Sequence, residues 1–255
     1  MSVMMNEKAV SEAIGFVLIL GIVISGIGLV TLYGYPVLVK EQSNTDVKNM
    51  ERAMIVIQND MKSLCFKNVP YKETSLQVSG GTLEVIDAGS SAPTFEISCD
   101  GFGPVEFHPG GLVYRSDRGT EVITLENGAV MKRQEDSTGS VMLAEPRWFY
   151  DVNPVTGEKT FVIYIMNIST DETTAKSGMA TVRMSLEGTI PHMPPGDAVD
   201  VMVRYTGDTE NDLTTAWENY LTGGSPGMSG SGGIYTLAGV KKLIVKEYRI
   251  KIHGV

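Results

Sequence analysis

Side chains able to do chemistry are few in this chain, and they are scattered. Three histidines stand at His108, His192 and His253, none beside another histidine or a cysteine. Metal ligands recur at short, characteristic spacings, and no such spacing occurs here, so neither a metal nor another cofactor is expected. Asp208, Glu210 and Asp212 alternate like the opening of a calcium loop, but the later glycine and distal glutamate are missing. Capping of the helix that follows them explains these acids better. Gly223-Gly224-Ser225-Pro226-Gly227 spells G-x-S-x-G. A nucleophile elbow needs a strand before the serine and a helix after it. Here a helical period precedes and a glycine-rich loop follows, so the match is one of letters. No phosphate loop with lysine and no CxxC occurs. The chain is not expected to be an enzyme.

Two residue types point to modification instead. Cys65 and Cys99 are the two cysteines. They pair as a disulfide if the domain is exported, or remain two buried thiols that act as small apolar groups. Asn167-Ile168-Ser169 is the one N-x-S/T triplet without proline at the middle position. It is a glycosylation site if the chain is exported and the triplet lies in a loop.

The chain has 255 residues, is 42% hydrophobic and 20% charged, and carries a net charge of −9. Nucleic-acid binding needs a basic face, so that class of partner is excluded. Glycine pairs at Gly80-Gly81, Gly110-Gly111 and Gly223-Gly224 predict many turns and few long helices.

The exception is the N-terminal stretch. Ala13 to Val39 contains no charged residue. As a helix it would extend roughly 40 Å, beyond the about 20 apolar residues that a membrane crossing requires. No A-x-A cleavage site follows it, so the helix is expected to stay on the protein. Gly15, Gly21, Ser25, Gly26 and Gly28 punctuate it, and Ser11/Gly15 and Gly21/Ser25 have small-xxx-small spacing. Such residues let helix backbones approach closely within a membrane. Pro36 should kink or open the helix. Beyond it, Val47, Met50, Met54, Ile57, Met61 and Leu64 recur at intervals of three and four. That is an apolar stripe, expected to pack on the chain's own globular domain.

After Pro70 the period becomes two. Leu76, Val78, Leu83 and Val85 around Gly80-Gly81 read as a hairpin. Further strands are expected from Thr94 to Tyr205, with Glu126-Asn127-Gly128 as a turn. Leu213, Ala216, Trp217, Tyr220 and Leu221 predict one short helix, followed by a flexible loop to Gly233. Lys241 to His253 reads as a final strand whose lysines would blunt a sheet edge. The fold class is α+β. A long N-terminal transmembrane helix, kinked near Pro36, precedes a mainly antiparallel β-sandwich or barrel-like head with one short helix.

The segment from Glu7 to Leu29, EKAVSEAIGFVLILGIVISGIGL, resembles the N-terminus of archaeal type IV pilins and pilin-like proteins. Lys8-Ala9 matches the two positions before the cut made by the prepilin peptidase, and Val10 would become the new N-terminus. Val10-Ser11 and Ile14-Gly15 resemble the VSPVIG run of that family, with Glu12-Ala13 in place of Pro-Val. The resemblance covers about 25 residues and implies a class III signal peptide, a retained helix, self-assembly with other pilins and a dedicated assembly machinery. It also implies that Glu12 offsets the Val10 amine, since burying either charge alone is costly. The expected domains are a leader peptide, 1–9, a filament-core or membrane helix, 10–39, its amphipathic continuation, 40–67, and an extracellular β-rich head, 68–255. Lys40, Lys48 and Arg52 follow the helix while Lys8 precedes it, which by charge alone favours an inside head. The leader motif outweighs that count. The alternative function is a single-pass surface protein whose β domain binds a ligand or partner, and behind it a membrane-anchored enzyme.

Overall fold

The computed structural model describes residues 3–67, 69–172, 174–195 and 200–255, with side chains in the first helix described from residue 11. The chain divides into two units, 1–45 and 46–255. This boundary lies inside the second helix, past the expected junction at 39/40, because the seam that begins at Val47 belongs to the head.

In the first unit α1 runs Val3–Leu29, and a single π turn, Val30–Gly34, joins it to α2, Tyr35–Lys67. The Tyr35 N–H closes that turn on the Val30 carbonyl. Pro36 has no N–H to give, so the backbone must change its bonding close to it. The opening expected at Pro36 is this π turn. Ser25 and Thr31 hydroxyls donate to the Gly21 and Ile27 carbonyls one turn back, at 2.7 and 2.9 Å. The polar atoms are thus satisfied inside the helix, as an apolar solvent demands.

The second unit is built of strands β1 Tyr71–Ile86, β2 Thr94–Cys99, β3 Phe102–Phe107, β4 Gly111–Ser116, β5 Glu121–Glu126, β6 Ala129–Gln134 and β7 Ser140–Ala144. They continue as β8 Phe149–Val152, β9 Lys159–Thr170, β10 Ala175–His192, β11 Asp200–Thr206, β12 Ser229–Ser231, β13 Ile234–Ala238 and β14 Val240–Gly254. One short helix, α3 Thr214–Thr222, interrupts them. Among the described residues the strands form two open sheets. One has nine strands in the order β7-β6-β5-β4-β1-β10-β14-β9-β8, and the other has five in the order β12-β13-β11-β2-β3. Pairing is antiparallel except between β14 and β9. The head is therefore sandwich-like, and not a closed barrel.

Alternation decides which face each side chain meets. In β11, Val201, Val203 and Tyr205 are buried while Met202, Arg204 and Thr206 are exposed. The nine-stranded sheet is apolar on both faces. One face packs on the α2 seam, where Met50, Met54, Ile57, Met61 and Leu64 are wholly buried against Leu83, Leu112, Val182, Ile250 and their neighbours. The other face packs on the five-stranded sheet and α3, around Phe95, Phe161, Trp217 and Tyr235. Gln58, the buried polar residue of the seam, donates its amide to the Gly128 and Glu145 carbonyls at 2.6 and 3.0 Å.

Three expectations need correction. Gly80-Gly81 does not fold a hairpin: β1 continues through it, pairing with β10 on both sides of the glycines across a register shift and with β4 from Gly81 onward. Gly80 adopts φ +62°, and a side chain on Gly81 would collide with the Arg115 carbonyl and the Tyr114 ring. The pair thus serves a bend under close packing, not a reversal. β14 is not an edge strand, since it lies between β10 and β9. Its Lys251 meets Asp171 at 2.8 Å, and Lys246 lies over the Tyr248 ring. The loop after α3 carries the short strand β12. The expected turn at Asn127-Gly128 is present, with φ +46° and +74° in a two-residue hairpin between β5 and β6.

Replacing Met54, fully buried in the seam, with Ala should lower the head's unfolding free energy by about 2–5 kcal/mol. The same change at Val56, half exposed on the same helix, should cost under about 0.5 kcal/mol. Urea unfolding of the full chain in detergent, followed by circular dichroism, compares the two.

Candidate functional site

The first surface is the apolar helix. From Ile14 to Leu38 every large hydrophobic side chain is exposed, and the 18-residue window that qualifies it as a membrane span is 0% buried. A side chain added at Gly15, Gly21, Gly26 or Gly28 would meet nothing within 4 Å. These glycines are not required by anything inside the subunit. Glu12 is exposed at the start of the run. Lys8, Ala9 and Val10 fall within the helical backbone of α1, but their side chains lie outside the described residues.

The other sites singled out from the sequence do not converge. Cys65 and Cys99 are both free. Cys65 belongs to the helix-side core, and Cys99 packs at the margin of the opposite core, so the nine-stranded sheet separates the two. Burial pushes the Cys65 thiol up to about 12. Asn167 sits within β9, paired opposite Arg249 of β14, and not in a loop. His108 lies beside Thr94 and the Pro93 carbonyl, His192 beside Glu247, and His253 beside Ser185. Among the described residues no three His, Cys, Asp or Glu side chains come together to hold a metal. Ser225 follows α3 and is exposed.

Between the sheets lies a polar cluster that pattern reading missed. Glu126, the last residue of β5, is 2% exposed. Its carboxylate accepts from the Trp217 Nε1 of α3 at 2.9 Å. The Tyr205 hydroxyl stands close to that carboxylate yet forms no hydrogen bond. Burial raises Glu126 to about 7; the Trp217 N–H and the Tyr205 hydroxyl oppose the rise, and the charge of Asp208 adds to it. Beside it the Asn211 amide donates to the Thr124 hydroxyl at 2.9 Å. Arg133 donates to the Glu210 carbonyl at 2.8 Å and so holds the loop before α3 against β6. Asp208 and Asp212 bond the Glu210 and Thr214 N–H groups, and the Ser140 hydroxyl of β7 accepts from Ala216 N–H in the first turn of α3. The helix start is thus tied down by a distant strand as well as by the acids preceding it. A glutamate just before a turn reads as exposed. Its partner Trp217 is 91 residues away in sequence, so no local pattern could reveal the pair.

The raised Glu126 carboxyl ties stability to pH. Between its ordinary value of 4.5 and about 7 the folded protein holds a proton that the unfolded chain has released. Its contribution is therefore unpenalised below about 4.5, falls as pH rises through that window, and is lowest above about 7. The loss is on the order of 3 kcal/mol. Glu126→Gln keeps an acceptor for Trp217 and removes the titration. Its unfolding free energy should decline less than that of the wild type from acid to neutral pH, as measured by urea unfolding across that range.

No curated protein and no solved structure matches the chain. Residues 8–244, which include both the apolar helix and nearly all of the head, match a single family description. On that match, the chain belongs to DUF7289, a family of unknown function.

Proposed function

We propose that this protein is a pilin-like structural subunit of an archaeal type IV pilus-like surface filament, in a minor or accessory role. The observation that carries the reading is the N-terminal helix. Its apolar half is wholly uncovered within the subunit, and its amphipathic half is part of the head's core. A removable signal would not supply half of its own helix to the fold. A plain anchor has no need of the small residues Gly15, Gly21, Ser25, Gly26 and Gly28, which suit close helix packing, and a side chain added at any of these four glycines would meet nothing within 4 Å. The family match running from residue 8 through the head supports treating both parts as one protein.

In this reading the subunit waits in the membrane with the head outside, and the helix exchanges lipid for copies of itself on assembly. Both surroundings are dry, so one apolar surface serves both. Prepilin peptidase cuts between Ala9 and Val10. The freed Val10 amine then lies two residues from Glu12, and each offsets the other's charge in the filament core. The single-pass surface protein is the second reading, favoured by the polar cluster between the sheets.

Mass spectrometry of the mature N-terminus tests the proposal directly. Val10 as the first residue supports it, and an intact Met1 or a cut beyond Val39 overturns it. Glu12→Ala should leave the head folded and membrane-bound while reducing the amount recovered in sheared filaments by about tenfold or more. Equal recovery would remove Glu12 from the assembly role.

A further inference from the structure

The chain carries a net charge of −9, so copies that assemble repel one another unless a positive patch on one meets a negative patch on the next. The head holds such a positive patch. A cavity of about 520 Å³ lies where β10 ends and β9 and β14 begin. Its volume falls within the ~300–1,000 Å³ of ligand-sized sites, so it can take several side chains of a partner. Pro191, Pro194, Leu243 and Val245 are among its apolar lining, and Lys241, Lys242 and Lys246 bring positive charge. Glu158 is the carboxylate among the lining residues. Lys246 covers the Tyr248 ring, while Lys242 is exposed and makes no ion pair among the described residues. Met193, which lines the cavity, is 84% exposed, and Val155, three residues before Glu158, is 91% exposed. Among the described residues these are the barest large hydrophobic side chains of the head. Apolar groups left bare around a charged hollow suit a surface that a partner covers.

The complementary surface is the turn between β6 and β7, where residues 134–139 are all exposed. Acids adjoin at two places in this chain, Glu135-Asp136 and Asp171-Glu172. Lys251 already holds Asp171 at 2.8 Å. Glu135 stands 3.9 Å from Arg115, and Asp136 makes no ion pair among the described residues. The charge at 135–136 is therefore the pair left open to a partner. The turn belongs to one end of the nine-stranded sheet and the cavity to the other, since β6 and β14 stand five strand spacings, roughly 24 Å, apart. One copy's turn does not reach its own cavity. A contact between the two is head-to-tail, and it repeats into an open filament wherever the rotation from copy to copy does not close.

We propose that this cavity is the head's contact with a second copy of the same chain, and that it takes the Glu135-Asp136 turn of that copy against its lysines. The inference rests on the self-assembly reading above and adds to it the surface by which heads join. The lysine ammonium groups donate to the incoming carboxylates, and the apolar floor beneath them keeps water from the contact. Exposed charges attract less as salt rises, so the contact weakens in molar salt.

The test mixes light and heavy-nitrogen full-length chain in detergent micelles and adds a carbodiimide. The reagent joins a touching ammonium and carboxylate as an amide and takes up the released water as a urea. Mass spectrometry should find mixed light–heavy peptides that link Lys241 or Lys242 to Glu135 or Asp136, with a yield that falls in molar salt. Lys242→Glu should lower the Lys241 cross-links about tenfold, and Asp136→Lys should do the same to the links between Lys242 and Glu135. Mixing the two variants should restore the links in one direction, from Lys242 of the Asp136→Lys copy to the intact turn of the other. The proposal is overturned if no mixed peptide joins these residues, if Lys242 links instead to other carboxylates such as Asp171, if either variant links as the wild type does, or if mixing restores nothing. None of these outcomes involves the cut at Ala9. A mature N-terminus at Val10 without the cross-links overturns the contact alone, and an intact Met1 with them overturns the filament subunit and leaves a self-associating head.

Discussion

The nine-stranded sheet has two apolar faces, and each must be covered. On one side the cover is a single stripe of α2, from Val47 to Leu64. Burial of one such side chain is worth about 1.5–3 kcal/mol, so the stripe as a whole rivals the ~5–15 kcal/mol net stability of a domain. The head cannot be separated from this half of its helix without exposing that face. The helix that gives the chain its membrane-length apolar run is therefore continuous, through one π turn, with the helix that completes the fold. Gln58 shows how closely the two are matched. It sits among apolar neighbours because the buried hairpin tip at Asn127-Gly128 offers a carbonyl there, and Asn127 in turn accepts from the Met166 N–H.

On the opposite face the cover is incomplete in an informative way. The five-stranded sheet and α3 bury an aromatic core in which Phe95 contacts Phe107, Tyr205 and Trp217 within about 5 Å between ring centres. Where this core gives way to Glu126, Thr124 and Asn211, the sheet face becomes polar and a cavity remains. An apolar residue at position 126 would leave the Trp217 N–H without an acceptor. The aromatic core and the polar cavity are thus linked through one hydrogen bond, and a carboxylate placed there carries the proton-dependent cost that an exposed one would not.

Much was legible from local pattern because the signals are strong. Twenty-seven residues without charge can only be a dry helix, and the three-four spacing from Val47 to Leu64 fixed both the continuation of that helix and its buried side. Asn127-Gly128 named its own turn, since both residues tolerate positive φ. Gly80-Gly81 misled because glycine permits a reversal and a bend alike, and the Tyr114 ring that selects the bend comes from another strand. The terminal strand misled because alternating basic residues suit an edge. In the fold Lys251 pairs with Asp171 and Glu187 and Lys246 covers an aromatic ring, while the strand itself is interior.

The sequence by itself determined the elements that depend on neighbours a few residues away: the long helix, its buried stripe, the alternating strands and the short helix around Trp217. Only the tertiary structure decided which strands became neighbours, that β14 lies parallel to β9, and that a sheet stands between Cys65 and Cys99. It also decided that Glu126 is buried against a residue 91 positions away. Those outcomes rest on how two sheets and a helix divide the burial of apolar faces among themselves, and no short window of sequence contains that competition.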